Sequence, residues 1–418
     1  ALAAPLTAAA SDTPHAPFRQ WCTALAAEAK AGEPVSLRRW QFIAGVTRDL
    51  PTLASWARPL ATGRLARAPF LATSIYPYDH EKRLPFRLPH DGTPTDTLET
   101  ALARGEYESL SFMLHPLRNI GRLEIKAAPP RNEKGATLPV ESLDIRIVKC
   151  WFNPASGWNT YFGGGREFPT LAPELLLYDD ALVKVDTDNR ANYLRVDYRS
   201  GSRYVDISRY GTPSTVPPFN YVRDPVADAP GPLPLPLPLT EGRNQQFWVT
   251  VHAPSNAAPG TYTTEITLTA DGAAAGSLQL SATVRPYLLP RPMTRYNPNL
   301  EYLGAFMNHC QLASQVGMGK SLAHAEKRFL AEMRNMVAHN MLHPFMSGFD
   351  NESDDELTIR QFQLMREAGM PLQPLFGGSG FNPEWLGWMR EGGSFENEPE
   401  TYERFRRDFE KRIIRAAG

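Results

Sequence analysis

The sequence predicts a multidomain β plus α/β protein: an N-terminal helical segment, a β-sandwich, then the first three βα units of an incomplete (β/α)8 barrel. Three observations predict it. Residues 68–288 carry short β-like runs broken by Pro, Gly and Asp turns. Residues 299–418 alternate short apolar runs with segments of helical period, the pattern of a parallel sheet covered by helices. A proline-rich stretch, Arg285 to Pro292, separates the two as a stiff linker, and the linker proper is placed at 289–298.

The N-terminal part is small-residue rich. Ala1-Leu-Ala-Ala-Pro-Leu-Thr-Ala-Ala-Ala10 resembles the residues just after a secretory cleavage site, so residues 1–17 are expected as a flexible tail of a secreted or periplasmic protein. The alternative is an Ala-rich terminus of a cytoplasmic protein. Residues 18–67 are expected to be partly helical, with Trp21, Leu25, Trp40, Ile43, Leu53 and Trp56 on apolar faces and Pro51 and Pro59 interrupting.

Within 68–288 the runs are Phe70 to Ile75, Tyr107 to Leu114, Leu123 to Ala127, Leu143 to Phe152, Leu182 to Val185, Tyr193 to Val196, Gln246 to His252, Tyr262 to Ala270 and Leu278 to Val284. Tyr262, Thr264, Ile266, Leu268 and Ala270 share one side of a pleat, with Thr263, Glu265, Thr267 and Thr269 on the other. That alternation marks a half-buried antiparallel strand. Trp151 to Pro173 reads as a long aromatic, Gly-rich insertion, in which Trp158 and Tyr161 are candidates for stacking on sugar faces or for packing against the protein itself. Ala229 to Leu239 is expected as polyproline II, a rigid crossing segment or a proline-recognition ligand.

In 299–418, Leu303 to Met307 is the first strand-like run. Ser321 to Asn340 comes next as a helix with Leu322, Ala325, Phe329, Met333, Met336 and Val337 inward. Met341 to Met346 is the second run. Ser353-Asp-Asp-Glu356 is a capping box opening a helix with Leu357, Phe362 and Met365 inward and Gly369 as its stop. Pro371 to Phe376 is the third run, and Asn397 to Ala417 the last helix. Three units fall short of the eight in a closed barrel.

Composition removes several functions. Lys plus Arg number 44 and Asp plus Glu 45, so no nucleic acid or anionic surface is expected as a partner. No apolar run is long enough for a membrane span. Cys22, Cys150 and Cys310 lack C-x-x-C or Cys/His metal spacing, and no metal or cofactor is expected. Gly377-Gly-Ser-Gly380 lacks the Lys of a phosphate loop, and Asp186-Thr-Asp-Asn189 fits a turn better than a calcium loop.

Arg104-Gly-Glu-Tyr-Glu-Ser-Leu-Ser-Phe-Met-Leu114, Pro173-Glu-Leu-Leu-Leu-Tyr-Asp-Asp180, Asn192-Tyr-Leu-Arg-Val196, Gln246-Phe-Trp-Val-Thr-Val-His252 and Ala257-Ala-Pro-Gly-Thr-Tyr-Thr-Thr-Glu-Ile266 resemble strands of exported glycoside hydrolases related to glycoside hydrolase family 123. The resemblance spans roughly residues 68–418. It implies a β-sandwich ahead of a (β/α)8 barrel and a carbohydrate substrate, for this family an N-acetylhexosaminide. Family members use an adjacent Asp-Glu pair: the Asp orients the substrate acetamide and the Glu is general acid and base. Asp355-Glu356 is accounted for by the capping box, so no catalytic residue is carried across. The general acid/base carboxylates are expected beyond residue 418, in a further segment or chain completing the barrel. The substrate-binding candidates are Asn308 and His309 after the first strand, Asp350 after the second, and Phe381, Trp385 and Trp388 after the third. The alternative function is a non-catalytic carbohydrate-binding or surface-assembly protein using the sandwich and the 151–173 loop.

Overall fold

The computed structural model describes residues 2–30, 36–153, 169–198, 200–208, 226–290, 306–307, 312, 316, 321–346, 355–372, 376–377, 399–401, 403–404, 406–407 and 410. The chain mixes helices and sheets. Its described residues divide into two units, the first ending at Leu289 and the second beginning at Pro290. No helix among the described residues is long and apolar enough to cross a membrane.

The first unit opens with three helices, α1 (Ala3–Asp12), α2 (Ala16–Lys30) and α3 (Leu37–Ala57). The first corrects the expectation of a loose tail. Alanine has the highest helix propensity, and Leu6 and Ala10, one turn apart, are both buried as α1 packs on α2 and α3. Ser36 caps α3 by accepting the Arg39 N–H at 3.2 Å.

Among the described residues of this unit, fifteen strands come after the helices. They are β1 (Phe70–Ile75), β2 (Thr93–Pro94), β3 (Thr97–Arg104), β4 (Tyr107–Pro116), β5 (Ile120–Ala127), β6 (Arg131–Asn132), β7 (Leu143–Asn153) and β8 (Thr170–Leu177). Then come β9 (Val183–Asp186), β10 (Ala191–Tyr198), β11 (Gly201–Asp206), β12 (Leu237–Leu239), β13 (Gln245–His252), β14 (Gly260–Ala270) and β15 (Ala273–Leu288). One six-stranded sheet has the order β2-β1-β4-β13-β7-β8; another runs β12-β5-β14-β15-β3, with β6 pairing β14. A small sheet β11-β10-β9 stands apart from both orders.

The two large sheets share one apolar core. Phe112, Ile145, Ile147 and Phe247 of the first belong to the same buried cluster as Ile125, Ile266, Leu268, Leu278 and Leu280 of the second. The Phe112 and Phe247 rings stack at 4.9 Å. Strand β14 alternates as its sequence requires: Tyr262, Thr264, Ile266, Leu268 and Ala270 are buried.

Two expectations need correcting here. Leu237–Leu239, expected as polyproline II, pairs with β5 as an edge strand. Leu237 and Leu239 turn inward while Pro238 faces out, a proline placement that an edge strand tolerates. Arg285 to Leu288, expected as the start of the linker, continues β15, and Leu288 pairs with Arg104.

In the second unit β16 (Phe306–Met307), β17 (Pro344–Met346) and β18 (Phe376–Gly377) form a parallel sheet in that order. Helix α4 (Leu322–Ala338) lies between β16 and β17 in the chain, and α5 (Asp355–Glu367) between β17 and β18. Ser321 caps α4 by accepting the His324 N–H. Ala325, Phe329 and Met333 pack with Phe362, Leu364 and Met365. Leu322, expected inward, is 46% exposed because it sits in the first turn, ahead of that cluster. Gly369 ends the segment after α5 at φ +90°, and the Met370 N–H returns to the Met365 carbonyl, a glycine-dependent stop. Ser353 of the expected capping box lies outside the described residues.

Candidate functional site

In β13 the side chains alternate, and Phe247, Val249 and Val251 enter the shared core. Trp248 must therefore face the other way, out of the first sheet. Register places Trp248 opposite Ser111 of β4 and Arg146 of β7. Arg146 lies between core residues Ile145 and Ile147, so it too faces outward.

Side chains from two other segments stand on this outer face. Tyr78, just past β1, meets Trp248 edge to face with ring centroids 5.7 Å apart, and Tyr76 meets Tyr78 in the same way at 5.9 Å. Tyr76 is 61% exposed and Tyr78 58%. On the far side, the Arg146 guanidinium lies 4.6 Å from the Tyr178 ring centroid. The Tyr178 hydroxyl donates to Asp144 at 2.8 Å, and Arg146 pairs with Asp144 at 3.0 Å. Burial, with the hydrogen bond to Asp144, pushes the Tyr178 phenol up to about 12, so it stays a neutral donor. Tyr76, Tyr78 and Trp248 thus form one run of touching rings, and Arg146, the register partner of Trp248, carries the row on to Tyr178.

The two tyrosines owe their position to the loop between β1 and β2. Its centre is Arg83, whose side chain is only 5% exposed. One guanidinium nitrogen, Nη2, lies 2.9 Å from Asp79 and 2.9 Å from Asp91, joining the two legs of the loop. Asp91 also accepts the Tyr76 N–H at 2.9 Å. The Glu81 N–H, and Arg83 beside it, hold the Asp79 carboxyl below its ordinary range. The loop is tied down onto the sheet. Cys150 Sγ donates to the Arg83 carbonyl, and Asn244 donates through its N–H to Pro85 and through its side chain to Arg87. Asn244 Oδ1 faces His115 Nδ1 at 2.7 Å, which assigns the N–H of that buried imidazole to Nδ1.

Ligand atoms of Asp79, His90 and Asp91 lie within 4.8 Å of one another, a spacing that a metal ion could use. Arg83 already supplies the positive charge between the two carboxylates, so the set reads as an ion network. Burial pushes the thiols of Cys22 and Cys150 up to about 12, which leaves both as poor nucleophiles. Asp186 accepts the N–H groups of Asp188 and Asn189 and closes a turn, consistent with the turn reading of that segment.

The residues expected from sequence to touch a ligand, Asn308, His309, Asp350, Phe381, Trp385, Trp388, Trp158 and Tyr161, all lie outside the described residues, as does Cys310. The line on the first sheet was missed. Its signals were present: Tyr76-Pro-Tyr78 in a turn, and a Trp at an outward position of an alternating strand.

No family model and no curated protein matches the chain. Among solved structures, a family 123 glycoside hydrolase from Clostridium perfringens is similar at 13% identity with a TM-score of 0.41, over 66% of this chain and 41% of that one. This chain thus spans less than half the length of that enzyme. AvmM, which catalyses macrocyclization in alchivemycin A biosynthesis, is similar at 10% identity and a TM-score of 0.20, over 54% of this chain and 93% of its own. The seventh ScaB type I cohesin from Pseudobacteroides cellulosolvens is similar at 9% identity and a TM-score of 0.15, over 48% and 95%. At these values the likenesses bear on neither activity nor substrate.

Proposed function

We propose that the protein is an exported glycoside hydrolase acting on a polysaccharide or oligosaccharide, with a β-sandwich leading into the opening units of a (β/α)8 barrel. One observation carries the reading. Strands β16, β17 and β18 pair in parallel, in chain order, with a helix in each crossover, downstream of two β-sheets that share a core. The family 123 resemblance in the strand sequences points the same way and favours an N-acetylhexosaminide. In a barrel of this kind substrate meets the C-terminal ends of the strands, where Asn308, His309, Asp350, Phe381, Trp385 and Trp388 fall in sequence. No catalytic carboxylate is assigned.

The test is hydrolysis of a panel of nitrophenyl glycosides, N-acetylgalactosaminide and N-acetylglucosaminide included, by the natural full-length protein. Nitrophenol release from at least one is expected. Silence across the panel overturns the reading.

A second reading, a non-catalytic carbohydrate-binding protein, is favoured by the aromatic row on the first sheet, whose Tyr76 and Tyr78 are exposed. Glycan binding without any hydrolysis would select it.

A further inference from the structure

We propose that the outer face of the first sheet is a binding site for a neutral glycan chain, laid along Tyr76, Tyr78, Trp248, Arg146 and Tyr178. The inference rests on the carbohydrate reading above and adds to it a site on the first unit. Exposed aromatics are common singly; three joined edge to face, two of them more than half exposed, form a surface that solubility alone does not call for.

The chemistry of the line selects its occupant. Ring faces and edges pack against the C–H faces of a sugar, while hydroxyls need donors and acceptors side by side. Arg146 and Asp144 supply both at one end, and Tyr178 joins them through its hydroxyl. Because Arg146 and Asp144 neutralise each other, the line has no net charge to reward an ionic ligand. A protein partner would favour a broader apolar patch than one row of rings between polar groups.

The line is also held in place. Burying Arg83 between Asp79 and Asp91 costs desolvation that an ordinary surface turn has no need to meet. What it fixes is the leg bearing Tyr76, whose N–H binds Asp91, and through it Tyr78. Aromatic residues fixed before binding lose less entropy on contact.

The experiment is electrophoresis of the full-length protein through native gels containing galactomannan, xyloglucan, arabinoxylan or, as an anionic control, polygalacturonate. At least one neutral polysaccharide should retard it. Tyr76→Ala/Tyr78→Ala, which touches exposed rings and is checked for folding by circular dichroism, should bind about tenfold more weakly, and Trp248→Ala likewise. No retardation in any neutral gel, retardation by polygalacturonate alone, or unchanged retardation of the tyrosine double variant would overturn the site. Nitrophenyl glycoside hydrolysis by the unaltered protein separates the two ideas. Hydrolysis without retardation sinks the site alone, and retardation without hydrolysis sinks the hydrolase reading alone.

Discussion

The guanidinium of Arg83 lies 2.9 Å from Asp79 and 2.9 Å from Asp91, joining the two ends of one loop from within the protein. It is the point on which the candidate site turns, because the same loop carries Tyr76 and Tyr78. Removing one partner of a buried ion set leaves the others without a counter-charge.

Arg83→Met should therefore lower stability, read by urea unfolding as a lower midpoint. The rings should lose their fixed geometry, seen as a weaker near-ultraviolet dichroism signal from Tyr78 and Trp248. Unchanged stability and spectrum would show that the loop is held without Arg83, by its other hydrogen bonds.

Phe247→Ala removes a fully buried ring stacked on Phe112 at the centre of the core shared by the two sheets. A loss of about 3–5 kcal/mol is expected, by the same unfolding measurement. A loss below ~1 kcal/mol would contradict a common core.

Much of this core was legible beforehand. Tyr262 to Ala270 and Gln246 to His252 alternate so regularly that their inward faces could be read directly. Strand β3 was not, because Thr97-Leu-Glu-Thr-Ala-Leu-Ala-Arg104 mixes charge and helix formers; its parallel pairing with β15, distant in sequence, makes it a strand. Helix α1 was missed for a related reason. Alanine tracts read as loose termini until a neighbouring helix covers residues such as Leu6. The aromatic line escaped because Trp248, Arg146 and Tyr178 come together only through strand register, which no single stretch announces.

Burial holds the pKa of His115 below its ordinary 6.5, against the pull of Asn244, and burial does the same for His15. Both imidazoles are therefore harder to protonate in the folded protein than in the unfolded chain. The unfolded state thus binds more protons below about pH 6.5, so stability falls as pH drops through that value toward the folded pKa. Urea midpoints should decline between about pH 7 and 5. His115→Gln should shallow that decline; an identical slope in the variant would contradict the assignment.

Gly276 sits at φ +110°, in the bulge where β15 shifts register against β14, and an added Cβ would run into the Arg64 carbonyl. Gly276→Ala is expected to cost about 1–3 kcal/mol from backbone strain. Gly272→Ala, also at positive φ but in open space, should cost less. Equal losses in thermal unfolding would show that the contact with Arg64 plays no part.

The proposed cleavage of carbohydrate is tested most directly on oligosaccharides ending in N-acetylhexosamine, with the products read by mass spectrometry. A shortened oligosaccharide together with the released sugar is expected. Oligosaccharides left intact throughout, under conditions where a control hydrolase cleaves them, would contradict it.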